Sequence, residues 1–226
     1  MGIPPEPHPL RVVFFIDGQN LYHACDRHFG QGNCHPHLLA AELLQGRALA
    51  GVRFYTGIHD PRTHPAGHAA MSRRIDAMQE QGVWVYTHQL KYSTCEVVDR
   101  SARPCAHGYC KVITHDQARE KGIDLRIGLD MLRLARHGEY DVAVLVSEDS
   151  DLNQAVDELM DLRDELGIWL AVEHAHAYSP SSGFPGIRLK SCRRELVITP
   201  ALFERIRDDT DYTQSLRAGH RSRRQP

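Results

Sequence analysis

Four aspartates in three separate segments could together hold a divalent cation. Asp17 and the pair Asp149 and Asp151 each follow directly after a continuous apolar run, and Asp124 stands at the start of a helical pattern. Carboxylates a few ångströms apart repel one another unless a cation lies among them, and hard oxygen ligands suit Mg²⁺ or Mn²⁺. A cation there could lower the pKa of an attacking water and neutralise charge on a phosphate group, which is the chemistry of phosphodiester hydrolysis.

Three further polar residues stand close to these aspartates in the sequence. Asn20 could orient Asp17 through its side-chain amide, Ser147 could line the pocket through its hydroxyl, and Lys121 could contact a phosphate. Each of these residue types has an ordinary alternative, because Asp, Asn or Ser at a strand-to-helix junction is often only a helix cap and a surface lysine is often only solvated. For any one residue the ordinary role is the simpler interpretation. The combination of all four aspartates favours a shared site.

The elements around these residues predict a parallel sheet. Apolar runs predict strands at 11–16, 52–58, 83–87, 142–146 and 168–172, with a short extended piece at 196–198. Helical patterns occupy 20–29, 38–49, 68–81, 124–137, 152–166 and 200–207. Strands that alternate with helices form a three-layer, Rossmann-like α/β fold with a mainly parallel central sheet and helices on both faces. Because ligands bind at the carboxyl ends of such strands, we expect the aspartates to converge at that edge.

Size and composition indicate one soluble globular domain. The chain has 226 residues, 42% of them apolar and 25% charged, and no apolar stretch reaches transmembrane length. We expect a single domain over 10–207, an irregular insertion at about 91–119, and a basic, flexible tail over 208–226. The net charge of −2 is not that of a protein held to nucleic acid by a broad positive field, although the basic segment 217–224 could contact it.

The cysteines and the amino terminus bear on the compartment and on a second metal. The first residues lack the pattern of a secretory signal, so we expect a cytoplasmic protein whose six cysteines are thiols or metal ligands. Cys95, Cys105, His107 and Cys110 fall inside the insertion and could hold a structural Zn²⁺. The alternative is free thiols in a flexible loop, because the spacing is not that of paired zinc knuckles.

Three segments closely resemble the NYN domain family, in particular its bacterial LabA-like branch. They are VVFFIDGQNLY (12–22), KGIDLRIGLDMLRLA (121–135) and YDVAVLVSEDSDL (140–152), and the resemblance covers roughly 10–175. It implies a PIN-like nuclease fold, a divalent-metal ribonuclease activity and RNA as the partner. The family's acidic residues then fall on Asp17, Asp124, Asp149 and Asp151, and its amide falls on Asn20.

One departure from the family pattern leaves an alternative function open. The family commonly has glycine where this chain has Glu148, which could add a ligand or narrow the approach of a phosphate backbone. A nucleic-acid-binding or regulatory module without turnover is therefore the main alternative. A haloacid-dehalogenase-like phosphatase would need a second aspartate where this chain has Gln19. The sequence leaves open whether the chain forms a homo-oligomer, and core packing is the expected role of Trp84 and Trp169.

Overall fold

The computed structural model describes residues 3–99, 111–119, 121–185 and 189–214. For 93–99 and 111–119 it describes the backbone alone. The strands are β1 (Arg11–Asp17), β2 (Ala48–Ile58), β3 (Val83–Gln89), β4 (Lys91–Asp99), β5 (Lys111–Arg119), β6 (Val142–Val146), β7 (Ala171–Ala177) and β8 (Arg194–Ile198). The helices are α1 (Gly18–Phe29), α2 (Pro36–Leu44), α3 (Pro65–Glu80), α4 (Ile123–Arg136), α5 (Asn153–Leu166) and α6 (Pro200–Ile206), with short 3-10 turns at Ser150–Leu152 and Pro180–Ser182. None of the helices in these ranges is long and apolar enough to cross a membrane.

Six strands form one sheet in the order β3-β2-β1-β6-β7-β8, and every neighbouring pair in it is parallel. From β1 the chain first builds outwards to β3 and later returns to place β6 on the other side of β1. This reversal makes the carboxyl ends of β1 and β6 the topological switch point, where open α/β sheets bind ligands. The α/β fold expected from the sequence is confirmed.

Both faces of the sheet are buried, which explains the uninterrupted apolar strands. On β1, Val12, Phe14 and Ile16 pack in a core shared with α1, α2, α3 and α6. Val13 and Phe15 point to the opposite face and pack in a second core with α4 and α5. The result is a three-layer arrangement with β1 and β6 at its centre.

The start of α1 lies unusually close to β2. A methyl group at Gly18 would come within 2.4 Å of the Phe54 ring and within 2.9 Å of the Tyr55 carbonyl oxygen. Only glycine fits so close an approach, and it brings the first turn of α1 directly above the end of β1. Gly30, at φ 75°, ends the helix in the left-handed conformation that favours glycine.

Three secondary-structure predictions were wrong, and in one of them the helix expected over 38–49 ends at Leu44 while β2 begins at Ala48. Residues 91–119 contain the antiparallel pair β4–β5, with Lys91 opposite Arg119, where the sequence predicted an irregular insertion. Both strands mix polar and β-branched residues, so they lack the apolar run by which the buried strands were found. The next strand after α5 is β7 over 171–177, whereas the sequence predicted 168–172.

The segment after α6 packs against the domain. Asp208 is buried, and the Tyr212 hydroxyl donates to its Oδ2 at 3.0 Å. Arg73 of α3 donates from Nε to the Tyr212 carbonyl oxygen at 2.7 Å. Residues 208–214, which the sequence assigned to a flexible tail, are therefore attached to α3, while 215–226 lie outside the described residues.

Candidate metal centre

Three carboxylates meet at the switch-point edge of the sheet. Asp124, Asp149 and Asp151 can each offer one carboxylate oxygen, and these atoms lie within 4.8 Å of one another. Asp124 belongs to the first turn of α4, while Asp149 and Asp151 belong to the turn that follows β6. A set of three hard oxygen donors, two half-buried and one exposed, fits Mg²⁺ or Mn²⁺, which keep several water ligands.

Backbone contacts hold Asp149 in place. Its Oδ1 accepts the backbone N–H of Asp151 at 2.9 Å, so it also caps the 3-10 turn that begins at Ser150. The capping role and a ligand role are compatible because a carboxylate has a second oxygen and further lone pairs.

Asp17 lies deeper at the same edge. It is only 7% exposed, and its Oδ1 accepts the backbone N–H of Asn20 at 3.0 Å. Burial raises the pKa of Asp17 to about 6; the negative charge of Asp149 adds to the rise, and hydrogen bonds from Asn20 and Ser147 oppose it. Asp17 is therefore a carboxylate whose charged form a nearby cation would stabilise.

Ser147 connects Asp17 to the turn after β6. Its hydroxyl donates to Asp17 Oδ2 at 3.4 Å and accepts the backbone N–H of Asp149 at 3.2 Å. The side chain is buried and lies behind the cleft, whereas the sequence predicted that it would line the pocket. Its contacts make it a positioning residue for two carboxylates.

The side chain of Asn20 contacts a different segment from the one predicted. Asn20 Oδ1 accepts the backbone N–H of Glu148 at 2.7 Å, and only its backbone N–H reaches Asp17. The amide therefore joins α1 to the turn after β6, which keeps Asp17 and Asp149 in register. The predicted side-chain bond between Asn20 and Asp17 is not what the structure shows.

His174, which the sequence reasoning missed, supports the same turn from β7. It is fully buried, and its Nε2 lies 2.8 Å from the Ser147 carbonyl oxygen, so Nε2 carries the proton and donates. Burial lowers the pKa of His174, which keeps the ring neutral and fits a single donated proton. Little in the sequence signalled this role, because His174 stands in the polar run 173–176 next to the predicted strand.

Glu148 turns away from the metal-ligand group. Its side chain is buried, and its Oε2 accepts from Arg27 Nη1 of α1 at 2.8 Å. It is neither one of the three clustered carboxylates nor part of the cleft lining among the described residues. Arg27 thus compensates the negative charge of Glu148.

An open cleft of about 1120 Å³ is lined by Asp17, Asp124 and Asp149. One wall is the polar face of α1, with His23, Asp26 and Arg27, and the other wall runs from Lys121 to Leu125. Lys121 is exposed on this wall, and its contact with a phosphate stays a prediction. The α1 residues were not selected from the sequence, because a polar helix face looks the same whether it faces a cleft or bulk water.

The proposed zinc ligands lie largely outside the described residues. Cys105, His107 and Cys110 fall in 101–110, and the side chain of Cys95 is also outside the described set. The zinc hypothesis therefore stays a prediction.

Comparison with known proteins agrees with the fold. The crystal structure of a protein of unknown function from Vibrio parahaemolyticus aligns with a TM-score of 0.52 at 16% identity, covering 86% of this chain and 96% of that protein. At this identity the likeness shows the fold alone. UGT73P12 of Glycyrrhiza uralensis, complexed with glycyrrhetinic acid 3-O-monoglucuronide, gives a TM-score of only 0.28 at 16% identity, over 75% of this chain and 28% of that one. That value is too low to support any conclusion.

The family is shown by the sequence itself. No curated protein gives a significant match to this chain. The model of the NYN domain matches residues 11–182, which include the clustered aspartates, the cleft and five of the six parallel strands. Members of this family are typically nucleases, and NYN domains act on nucleic acids. The chain therefore belongs to the NYN domain family of the PIN-like superfamily.

Proposed function

We propose that this protein is a metal-dependent ribonuclease that hydrolyses RNA phosphodiester bonds in the cleft between α1 and α4. The observation that supports this most is the convergence of Asp124, Asp149 and Asp151 within 4.8 Å at the switch point of an NYN domain. We further propose a cytoplasmic location and membership of the LabA-like branch, both from the sequence.

In this proposal Asp124, Asp149 and Asp151 hold Mg²⁺ or Mn²⁺, and Asp17 contributes from deeper in the cleft. Bound there, the cation would activate a water and neutralise developing charge on the phosphate. Asp17 would become a full anion beside that cation, because the positive charge offsets the burial that raises its pKa to about 6.

The remaining residues position these carboxylates and the substrate. Ser147 and Asn20 fix the turn after β6 against β1 and α1, and His174 holds the same turn from β7. Lys121 and Arg27 stand on opposite walls of the cleft, where each could contact a phosphate on one side of the scissile bond. An open cleft with a cationic side chain on each wall suits an extended single strand of RNA.

The position of Glu148 favours the enzyme over the binding-only module. A glutamate that pointed into the cleft would repel phosphates, but this one is buried and paired with Arg27 at 2.8 Å. All four aspartates are retained, so the departure from the family pattern removes no carboxylate. Gln19 lines the cleft at the position where the phosphatase alternative needs an aspartate, which argues against that alternative.

A cleavage assay tests the function and the substrate class together. Labelled single-stranded RNA and DNA of the same sequence would be incubated with purified protein in Mg²⁺, in Mn²⁺ and in EDTA. We expect cleavage of RNA with either metal and none in EDTA. If RNA is cut equally well in EDTA, the metal mechanism is wrong; if RNA binds but is never cut, the binding module is correct. Equal cleavage of DNA would show that the site does not read the 2′-hydroxyl.

A further inference from the structure

We propose that a second surface, beside the cleft, binds single-stranded RNA and delivers it to the metal centre. We call it the arginine–aromatic surface and define it as Arg53, Trp84, Tyr86, Arg126 and Arg133. The proposal rests on the proposed ribonuclease function, because the occupant is the same RNA strand that enters the cleft.

The surface exists because, among the residues that the structure describes, no helix covers β3 on this face. On the face covered by α4 and α5, the edge strand β3 presents Trp84 and Tyr86, while β1, β6 and β7 are covered. Trp84 is 39% exposed, so the core role that the sequence predicted for it is wrong. A large aromatic side chain that remains accessible on an edge strand can contact a partner.

The aromatic rings are arranged as a stacking platform. The rings of Trp84 and Tyr86 have centroids 6.4 Å apart and planes only 18° from parallel. The guanidinium of Arg53 lies 4.4 Å from the Trp84 ring centre, and that of Arg126 lies 4.7 Å from the Tyr86 ring centre. Aromatic rings and guanidinium planes are the groups on which unpaired bases stack without regard to sequence.

The charge of the surface suits a phosphate backbone. One buried carboxylate, Asp130, lies 3.1 Å from Arg126, 3.2 Å from Arg133 and 3.8 Å from Arg53. The three arginines outnumber Asp130. Glu139 lines the same hollow as Arg53 and Trp84, and Glu158 and Glu165 line the same hollow as Arg133. The Arg133 side chain is 54% exposed, so part of that charge faces solvent. The net charge of −2 for the whole chain conceals this local arrangement.

The surface is continuous with the metal-binding cleft. Arg126 is two residues after Asp124 on α4, and Leu125 between them lines the cleft. With a rise of 1.5 Å per helical residue, the path from Asp124 to Arg133 is about 14 Å long. Because residues two apart on a helix point to opposite sides, a strand that lies along Arg126 and β3 would cross α4 over the exposed Leu125 to reach Asp124 in the cleft.

The chain offers a matched control for the test, because its two tryptophans have similar partners. Trp169 also lies beside an arginine, Arg193 at 5.2 Å, but it precedes β7 on the other side of the sheet's centre. The Trp169→Phe variant has Trp84 as its single tryptophan, and the Trp84→Phe variant has Trp169 as its single tryptophan. Both proteins would be titrated with oligouridine RNA in EDTA at fixed salt, so that binding is measured without cleavage.

We expect RNA to quench the fluorescence of Trp84 and to leave that of Trp169 unchanged. Trp84→Ala should weaken RNA binding about tenfold or more, as is typical when a stacked base loses its ring, while Trp169→Ala should not. Arg133→Gln, an exposed substitution that leaves the core intact, should lower the slope of log affinity against log salt by about 0.7.

The outcomes separate this surface from the nuclease itself. If Trp84→Ala binds RNA as tightly as wild type while cleavage persists, the proposed RNA-binding surface is wrong and the proposed ribonuclease activity is supported. If RNA quenches the fluorescence of Trp84 but RNA is not cleaved by any variant or with either metal, the RNA-binding surface is supported and the ribonuclease activity is contradicted. Should Trp84→Ala convert a dimer to a monomer in sedimentation without altering RNA affinity, the surface joins two copies of the chain and the proposal is overturned.

Discussion

Asp149→Asn is expected to lower metal-dependent RNA cleavage by roughly 100-fold or more, because loss of a group that only orients a ligand already costs 10–100-fold. The substitution removes a charge from the three-carboxylate group but keeps the size of the side chain. An asparagine oxygen can still accept the backbone N–H of Asp151, which lies 2.9 Å away, so the turn after β6 should be retained. The measurement is the initial rate of RNA cleavage in Mn²⁺.

Asp161→Asn is the matched control. Asp161 is an exposed aspartate of α5, outside the clustered carboxylates, and the substitution makes the same change of charge. It should cut RNA at the wild-type rate. If Asp149→Asn cuts as fast as this control, Asp149 is only a cap for the 3-10 turn and the proposed metal centre is misplaced.

Asp17→Asn is expected to abolish cleavage and yet to raise the stability of the metal-free protein. Burial raises the pKa of Asp17 from 3.8 to about 6, so the folded protein holds this proton more tightly than the unfolded chain does. Ionised Asp17 therefore destabilises the fold at neutral pH, by an amount on the order of 2–3 kcal/mol for a shift of this size.

The pH dependence of this effect has a definite sign. Below the unfolded pKa of 3.8 the group is protonated in both states and contributes nothing. As pH rises from about 4 to about 6 the unfolded chain loses the proton first, so wild-type stability falls over this range. Asparagine cannot ionise, so the variant should lack this fall.

Denaturant unfolding in EDTA at several pH values measures the difference between the two proteins. Asp17→Asn should be the more stable protein near neutral pH and should approach wild type near pH 4, and added Mn²⁺ should stabilise wild type more than the variant. A stability difference that is the same at every pH would show that Asp17 is not a buried carboxylate of raised pKa.

The sequence was sufficient for the central strands and for the aspartates that follow them. β1 and β6 are buried on both faces, so their uninterrupted apolar composition identifies them as strands. The aspartates that follow them must therefore lie at the carboxyl edge of the sheet. The convergence of Asp124 with Asp149 and Asp151 was expected from the direction of α4, and the structure has these three together.

The burial of polar residues inside the domain could not be predicted, because their partners are far away in the sequence. β7 reads as polar over Glu173, His174 and His176, yet Glu173 is buried between Arg47 and Arg194. Arg47 is 126 residues from Glu173, so no local pattern could reveal the pair. The apolar residues before β7 were consequently taken for the strand.

The roles of Asn20 and Trp84 were mistaken for a similar reason. Asn20 reaches Glu148, which is 128 residues away, and so it braces two segments where a local contact with Asp17 was predicted. Trp84 has the composition of a core residue, but β3 is an edge strand and α4 leaves part of it open. Strand order, which the sequence does not show, decides whether such a residue is buried.

Calorimetric titration with Mn²⁺ tests the central claim most directly, because it asks whether the clustered carboxylates form a metal centre without reference to any substrate. Wild-type protein should bind Mn²⁺ saturably, Asp124→Asn and Asp149→Asn should each bind it far more weakly, and Asp161→Asn should bind it as wild type does. Wild-type protein that binds no Mn²⁺, or an Asp124→Asn variant with undiminished affinity, would contradict the account.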